Sequence, residues 1–125
     1  MFQAIVLVGI GGAVGSVSRY LVSLFSLKYF NANFPYSTLI VNILGSVFMG
    51  ALMALFEKQI HDSHGFRLLL VTGFCGGFTT FSAFSFETIS LIQSGNINIA
   101  LLNIVANLVF GIGLIWVSFM IIKSV

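Results

Sequence analysis

Four long apolar runs, separated by short polar connections, constrain this chain more than any other feature. They cover residues 2–27, 36–56, 66–93 and 97–122. A helix that crosses a bilayer needs about 20 mostly apolar residues, so each run is long enough to span a membrane. Strands of a membrane β-barrel are only about ten residues long and alternate strictly. The runs therefore predict an all-α integral membrane protein with four transmembrane helices.

The scarcity of charge supports the same class. The 125 residues hold five Lys or Arg and three Asp or Glu, so that 6% are charged and 58% are hydrophobic. Soluble domains carry about 25% charged residues. This composition excludes a soluble enzyme, a nucleic-acid-binding protein and a disordered segment, and we expect no catalytic chemistry. We expect a single transmembrane domain over residues 1–125.

Positive charge is almost evenly divided between the two ends of the spans. If the N-terminus is cytoplasmic, Lys58, Arg67 and Lys123 lie on the cytoplasmic side, and Lys28 and Arg19 lie on the other. The positive-inside rule then gives almost no bias. Two interpretations stay open: a weakly specified single orientation, or insertion in both orientations with pairing as an antiparallel dimer. Four helices are few for enclosing a polar pathway, which favours an oligomer.

Polar residues within the apolar spans are candidates for function, because they are costly in lipid. Asn42 lies between Thr38 and Ser46 at helical spacing, so the three residues share a face. Arg19 follows a glycine-rich run and is either a snorkelling side chain or a charge that attracts anions. Glu87 is the carboxylate of the third span, and it either couples protons or pairs with a cation or a backbone group.

Two asparagines of the fourth span, Asn103 and Asn107, repeat the spacing of four. They are either interhelical hydrogen-bonding groups or part of a polar track for a permeating species. Small residues at the same spacing predict close helix contacts. The pairs are Gly11 with Gly15, Gly50 with Ala54, and Gly73 with Gly77.

The third span contains the string GFCGGFTTFSAFSFE over residues 73–87. Gly76 and Gly77, followed by Thr79 and Thr80, predict a break in the helix. A break at membrane depth frees backbone carbonyls that need partners. Carbonyls of two half-helices can hold a cation, and a hard cation such as Na⁺ suits oxygen ligands.

Aromatic and hydroxyl side chains alternate after the predicted break. Phe81 and Phe84 are three residues apart and share a helical face. Because phenyl rings have a positive edge, they can contact an anion without a fixed charge. Ser82 and Ser85 can add hydrogen-bond donors. Such a stripe is typical of simple packing, but its combination with the glycine and threonine pairs is less generic.

The string GFCGGFTTFSAFS resembles the signature of the Fluc (CrcB-type) fluoride channels. The resemblance covers the whole chain and includes the segments SRY at residues 18–20 and TLIVN at residues 38–42. It implies an antiparallel, dual-topology homodimer with two fluoride pores in the cell inner (plasma) membrane. It also implies passive export of fluoride and protection against fluoride toxicity, with fluoride, the lipid bilayer and a second copy of the chain as partners.

The resemblance further implies site residues. The fluoride pore would be formed by Arg19 at a vestibule, Asn42, the ring edges of Phe81 and Phe84, and a polar track of Thr80, Ser82 and Ser85. A structural Na⁺ would be held at the dimer centre by main-chain carbonyls of Gly76 and Thr79 from each subunit. Ala83 stands where the family often has Thr, which would lower the rate of fluoride passage without removing the pore.

A small multidrug-type proton-coupled antiporter is the alternative function, because it also has four short helices and sometimes dual topology. Such a transporter needs a membrane carboxylate, usually in the first helix, and the first span holds no Asp or Glu. A structural subunit of a larger complex is a third possibility. That role would require neither the helix break nor the aligned phenylalanines.

Overall fold

The computed structural model describes residues 1–58 and 64–125. Helix α1 spans Phe2–Tyr29, and helix α2 spans Tyr36–Lys58. Helix α3 covers residues 64–78, and helix α4 spans Phe81–Gln93 after two extended residues. Helix α5 spans Ile97–Ser124. The described residues thus form four helical spans that are long and apolar enough to cross a membrane, which confirms the predicted class and number of spans.

Residue type explains the turns that join these helices. Pro35 directly precedes α2, and its carbonyl oxygen accepts the N–H of Leu39 at 3.2 Å. Proline suits a helix start because its missing N–H would have no helical partner there. Gly95 has a positive φ of 81° in the turn between α4 and α5, a conformation that glycine adopts at little cost. Short connections of this kind make neighbouring helices antiparallel.

Helix α1 packs against α3 through glycines on both helices. A Cβ atom on Gly11 or Gly15 would collide with the backbone of α3. A Cβ on Gly73 would lie 2.8 Å from the carbonyl oxygen of Val8, and one on Gly77 would lie 2.5 Å from a carbonyl oxygen of α1. The two backbones therefore touch directly, which confirms the close contacts predicted from the spacing of these four glycines.

Helix α2 packs along α5. A Cβ on Gly50 would meet the backbone of Ile115, so these two helices also approach closely. At their common end, Lys123 pairs with Glu57 at 2.7 Å, and Lys58 donates to a backbone carbonyl of α5 at 2.8 Å. The ion pair is about half exposed and adds little stability, but it marks the register of the two helices.

The first half of the third span is π-helical over Arg67–Cys75. π-Helical turns are rare and are concentrated near functional sites. This segment ends directly before Gly76, so it leads into the region of the break. Because its turns are wider than those of an α-helix, the face on which a residue lies cannot be extrapolated through this span from a 3.6-residue period.

Candidate ion pathway at the broken third helix

The third span is interrupted at Thr79 and Thr80, where the backbone is extended. Thr79 has φ and ψ of −77° and 159°, and Thr80 has −151° and 113°. Gly76 and Gly77 remain helical, so the break falls on the threonine pair that follows them. Thr80 caps the N-terminus of α4, because its hydroxyl accepts the N–H of Ala83 at 3.2 Å.

The side chain of Asn42 on α2 binds the backbone at the break. Its Oδ1 atom accepts the N–H of Thr80 at 2.9 Å, and its Nδ2 atom lies 3.4 Å from the carbonyl oxygen of the same residue. Nδ2 also donates to Oδ1 of Asn107 on α5 at 2.8 Å. Asn42 therefore replaces a missing helical partner and ties the break to two other helices.

Two carbonyl groups at the break lose their helical donors. The N–H of Thr80 would bind the carbonyl of Gly76 in an unbroken helix, but it is donated to Asn42. The N–H of Ala83 would bind the carbonyl of Thr79, but it is donated to the hydroxyl of Thr80. Gly76 and Thr79 are the residues whose carbonyls the resemblance implies as Na⁺ ligands. Their oxygens have the chemistry that a hard cation requires.

Side-chain ligands for a metal are not clustered in residues 1–58 and 64–125. No group of three or more His, Cys, Asp or Glu side chains comes together there.

A cavity of about 260 Å³ lies beside the break, and we call it the phenylalanine cavity. Phe81 and Phe84 both line it, with ring centroids 5.6 Å apart and ring planes inclined by 53°. Phe84 is 9% exposed, whereas Phe81 is 77% exposed. Asn42 and Thr80 contribute polar groups to the same walls. The structure thus places four of the predicted pore residues around one space.

Thr80 also lines a second cavity of about 370 Å³, which we call the arginine cavity because Arg19 forms part of its wall. Thr38 and Glu87 lie there too. The hydroxyl of Thr38 donates to Oε1 of Glu87 at 2.6 Å. Oε2 of Glu87 is buried and has no hydrogen-bond partner among the described residues. Arg19 and the phenylalanines therefore line different cavities, which have Thr80 as a common wall residue.

A third cavity of about 530 Å³ opens between the connection before α2 and the outer half of α4, and we call it the loop cavity. Ser37 and Glu87 line both the loop cavity and the arginine cavity. The loop cavity and the arginine cavity therefore share two wall residues, and Thr80 is common to the arginine cavity and the phenylalanine cavity. Ser37 had not been predicted as part of a site. Its hydroxyl lies 2.8 Å from that of Ser23 on α1.

The two serines predicted for the polar track differ in their contacts. The hydroxyl of Ser82 lies 3.3 Å from that of Thr80, so it continues the line of hydroxyl groups. Ser85 donates to the carbonyl of Phe81 at 2.9 Å, within its own helix. Neither serine is among the residues that line the phenylalanine cavity.

Known proteins match this chain over nearly all of the region just described. A family model described as CrcB-like protein, Camphor Resistance (CrcB), matches residues 6–119. The chain belongs to the CrcB-like protein family. The residues matched to the CrcB-like family include the break and every residue that lines the three cavities.

Individual proteins are also similar to this chain over most of its length. The fluoride-specific ion channel FluC of Clostridium perfringens is 48% identical over 102 residues, which are 82% of this chain and 80% of the relative. The protein of the same name from Agrobacterium fabrum is 46% identical over 112 residues, 90% of each chain. The fluoride-specific ion channel FluC 1 of Yersinia pseudotuberculosis is 41% identical over 124 residues, 99% of this chain and 97% of the relative.

Proposed function

We propose that the protein is a fluoride-selective ion channel, which exports F⁻ passively across the cytoplasmic membrane and so protects the cell against fluoride toxicity. The observation that carries this proposal is the similarity to proteins named fluoride-specific ion channel, at 41% identity over almost the whole chain and at 48% over a shorter part. The same relatives favour a channel over the proton-coupled antiporter.

The chemistry of the cavities suits a small, strongly hydrated anion. A pore must replace the water around such an ion with donors, but a fully charged partner at the narrow part would hold the ion too tightly. The phenylalanine cavity offers the ring edges of Phe81 and Phe84, the hydroxyl of Thr80 and the amide of Asn42, whose long 3.4 Å contact with the Thr80 carbonyl can give way to fluoride. These groups are uncharged, so they can stabilise fluoride and still release it.

The arginine cavity and the phenylalanine cavity together suggest a route. Arg19 attracts the anion to the arginine cavity, and Thr80 is common to that cavity and to the phenylalanine cavity. Ser82 lies within reach of the Thr80 hydroxyl and extends the line of donors, and Ser85 lies one helical position beyond Phe84. Fluoride passes along this line down its gradient, and a negative-inside potential adds about 2.3 kcal/mol per charge for each 100 mV.

The functional unit in this proposal is an antiparallel, dual-topology homodimer in the inner (plasma) membrane. Phe81 is 77% exposed although it lines a cavity with polar walls. A second copy would cover this ring and close the pathway. The nearly even distribution of the five positive residues, three on one side and two on the other, leaves insertion almost unbiased, as dual topology requires.

A structural Na⁺ at the dimer centre completes the proposal. Its ligands are the main-chain carbonyls of Gly76 and Thr79 from both subunits. The support is the diversion of both helical donors, which removes the hydrogen bonds that these oxygens would accept in a continuous helix at membrane depth. The ion would stabilise the broken helices.

Ion release from liposomes tests the function directly. Purified protein is reconstituted into liposomes loaded with potassium fluoride or potassium chloride, and valinomycin is added to carry the balancing charge. We expect rapid release of fluoride, measured with a fluoride electrode, and retention of chloride at the level of protein-free liposomes. Equal release of both anions, or release of neither, contradicts a fluoride-selective channel.

A further inference from the structure

A continuous line of side-chain hydrogen bonds starts at the helix break and leads into α5. The N–H of Thr80 donates to Oδ1 of Asn42 at 2.9 Å, and Nδ2 of Asn42 donates to Oδ1 of Asn107 at 2.8 Å. Nδ2 of Asn107 donates to both oxygens of Asn103, at 2.9 Å to Oδ1 and at 3.0 Å to the backbone carbonyl.

The line then returns to the helix from which it started. Nδ2 of Asn103 donates to the hydroxyl of Thr88 at 2.9 Å. The hydroxyl of Thr88 donates in turn to the backbone carbonyl of Phe84 at 2.7 Å. Both ends of the line are therefore backbone groups of the third span, one at the break and one at the second residue of the phenylalanine pair. We call these four side chains, Asn42, Asn107, Asn103 and Thr88, the amide relay.

The two ends fix the direction of every bond in the amide relay. A backbone N–H can only donate, and a backbone carbonyl can only accept. Because Thr80 donates at one end and Phe84 accepts at the other, each amide between them has a single orientation that satisfies its neighbours. Reversing one amide would bring two oxygens or two NH₂ groups together. Chains of this kind strengthen cooperatively in a medium of low dielectric constant.

Burial makes the amide relay sensitive to the loss of any member. Asn103 is fully buried, and Thr88 and Asn107 are 7% and 9% exposed. A polar group without a partner in such surroundings is costly. Both N–H groups of Asn107 are engaged by Asn103. Asn107 therefore has no free N–H group for a passing anion, and Nδ2 of Asn103 is engaged by Thr88.

We propose that Thr88 and Asn103 are positioning residues of the ion pathway. They hold the turn that carries Phe84 in a fixed relation to the break at Thr80, and through Asn107 they set the orientation of the Asn42 amide. The bond from the Thr88 hydroxyl to the Phe84 carbonyl also constrains the helical turn that carries the ring. This inference rests on the proposed fluoride channel, because it assigns a task to residues that act through Phe84 and Asn42.

Three substitutions on α4 separate positioning from general packing. Thr88→Val removes the hydroxyl at nearly constant shape, and Thr88→Ser keeps the hydroxyl. Ser90→Ala removes a hydroxyl that makes the same type of bond on the same helix, to the carbonyl of Phe86 at 2.9 Å, outside the amide relay. We expect Thr88→Val to lower fluoride release about tenfold, Thr88→Ser to restore it, and Ser90→Ala to match the wild type.

A spectroscopic readout follows the ring itself and does not depend on ion flow. 4-Fluorophenylalanine is placed at position 84, and its ¹⁹F resonance is recorded in detergent micelles. We expect Thr88→Val to shift and broaden the resonance, whereas Thr88→Ser and Ser90→Ala leave it at the position seen without further substitution. If Thr88→Val gives no folded protein, Thr88→Cys, with its weak S–H donor, is used in its place and is expected to have an intermediate effect.

The outcomes distinguish this inference from the proposed function. If the wild type releases fluoride and the Thr88 variants release it equally fast with an unchanged ¹⁹F resonance, the positioning role is wrong. It is equally wrong if Thr88→Ser behaves like Thr88→Val, or if Ser90→Ala causes the same loss. If the wild type releases no fluoride, the channel function fails, and the positioning role for fluoride passage fails with it.

Discussion

The side-chain oxygen of Asn42 accepts the backbone N–H of Thr80 at 2.9 Å, across the space between two helices. This bond takes the place of the one that Thr80 would donate within a continuous helix. A break in the third span is therefore stabilised by a residue of the second span. The pair explains how an extended stretch of backbone can exist among helices of a membrane protein.

Loss of this contact has a predictable effect on stability. Asn42→Ala leaves the N–H of Thr80 and the Oδ1 atom of Asn107 without their partner, and an unsatisfied buried polar group costs about 1–3 kcal/mol. We expect earlier unfolding in a detergent titration and lower fluoride release. Asn98→Ala, at an exposed position of α5, is the control. Equal unfolding midpoints for the two variants would show that the bond contributes nothing.

Hydropathy is sufficient to predict the spans, because the requirement for about 20 apolar residues is independent of how helices pack. The neighbourhood of the break also follows from local chemistry, since glycine and β-branched threonine weaken a helix. The proximity of Phe81 and Phe84, with ring centroids 5.6 Å apart, follows from a spacing of three. These features depend on residues that are close in sequence.

The partners of the buried polar groups could not be predicted in the same way. The spacing of Asn103 and Asn107 indicates that they share a face, but it does not indicate that Thr88 completes their hydrogen bonding. That contact depends on the rotation and register of α4 against α5. The π-helical segment Arg67–Cys75 adds a further shift of faces that no simple period describes. The position of Thr88 one helical turn after Phe84 is the sequence signal that could have indicated its role.

The exposure of the two phenylalanines predicts different consequences for the same substitution. Phe81→Ile changes a ring that is 77% exposed within one chain, so it should lower the free energy of unfolding less than Phe84→Ile does, because only the contact with the proposed second copy is altered. Fluoride release should still fall, because the ring edge is lost. Phe84→Ile changes a ring that is 9% exposed and should lower both stability and release.

Phe86→Ile is the matched control for these substitutions. Phe86 is 73% exposed on the same helix and lies outside the phenylalanine cavity. We expect wild-type fluoride release for this variant, measured with the electrode in liposomes. A loss as large as that of Phe81→Ile would mean that flux responds to any aromatic substitution on α4, and the ring-edge role of Phe81 would have to be abandoned.

Dual topology predicts that the turn between α4 and α5 faces both sides of the membrane. Ser94→Cys introduces an exposed thiol there, while the native Cys75 is fully buried. A membrane-impermeant maleimide should label about half of the protein in intact cells, since the positive-inside rule gives almost no bias. Labelling should become complete after the membrane is permeabilised. Complete labelling, or none, in intact cells indicates a single orientation.

Removal of sodium tests the proposed cation at the break. Exchange of Na⁺ for N-methylglucamine at constant ionic strength should lower the temperature of thermal unfolding in detergent and slow fluoride release. The reason is that the carbonyls of Gly76 and Thr79 would lose the cation that they bind. Return of Na⁺ should restore both quantities, and K⁺ is the control for a larger cation. Identical unfolding with and without Na⁺ argues that no structural sodium is present.

The pairing of α1 with α3, and of α2 with α5, has a consequence for biosynthesis. Helices α1 and α2 are consecutive, but each makes its main contacts with a later helix and not with the other. During synthesis, the glycine face of α1 has no packing partner until α3 is made. The amide of Asn42 cannot bind Asn107 until α5 is made. The nascent protein therefore enters the bilayer with its interlocking surfaces still open, and it reaches its final packing only once α5 has left the ribosome.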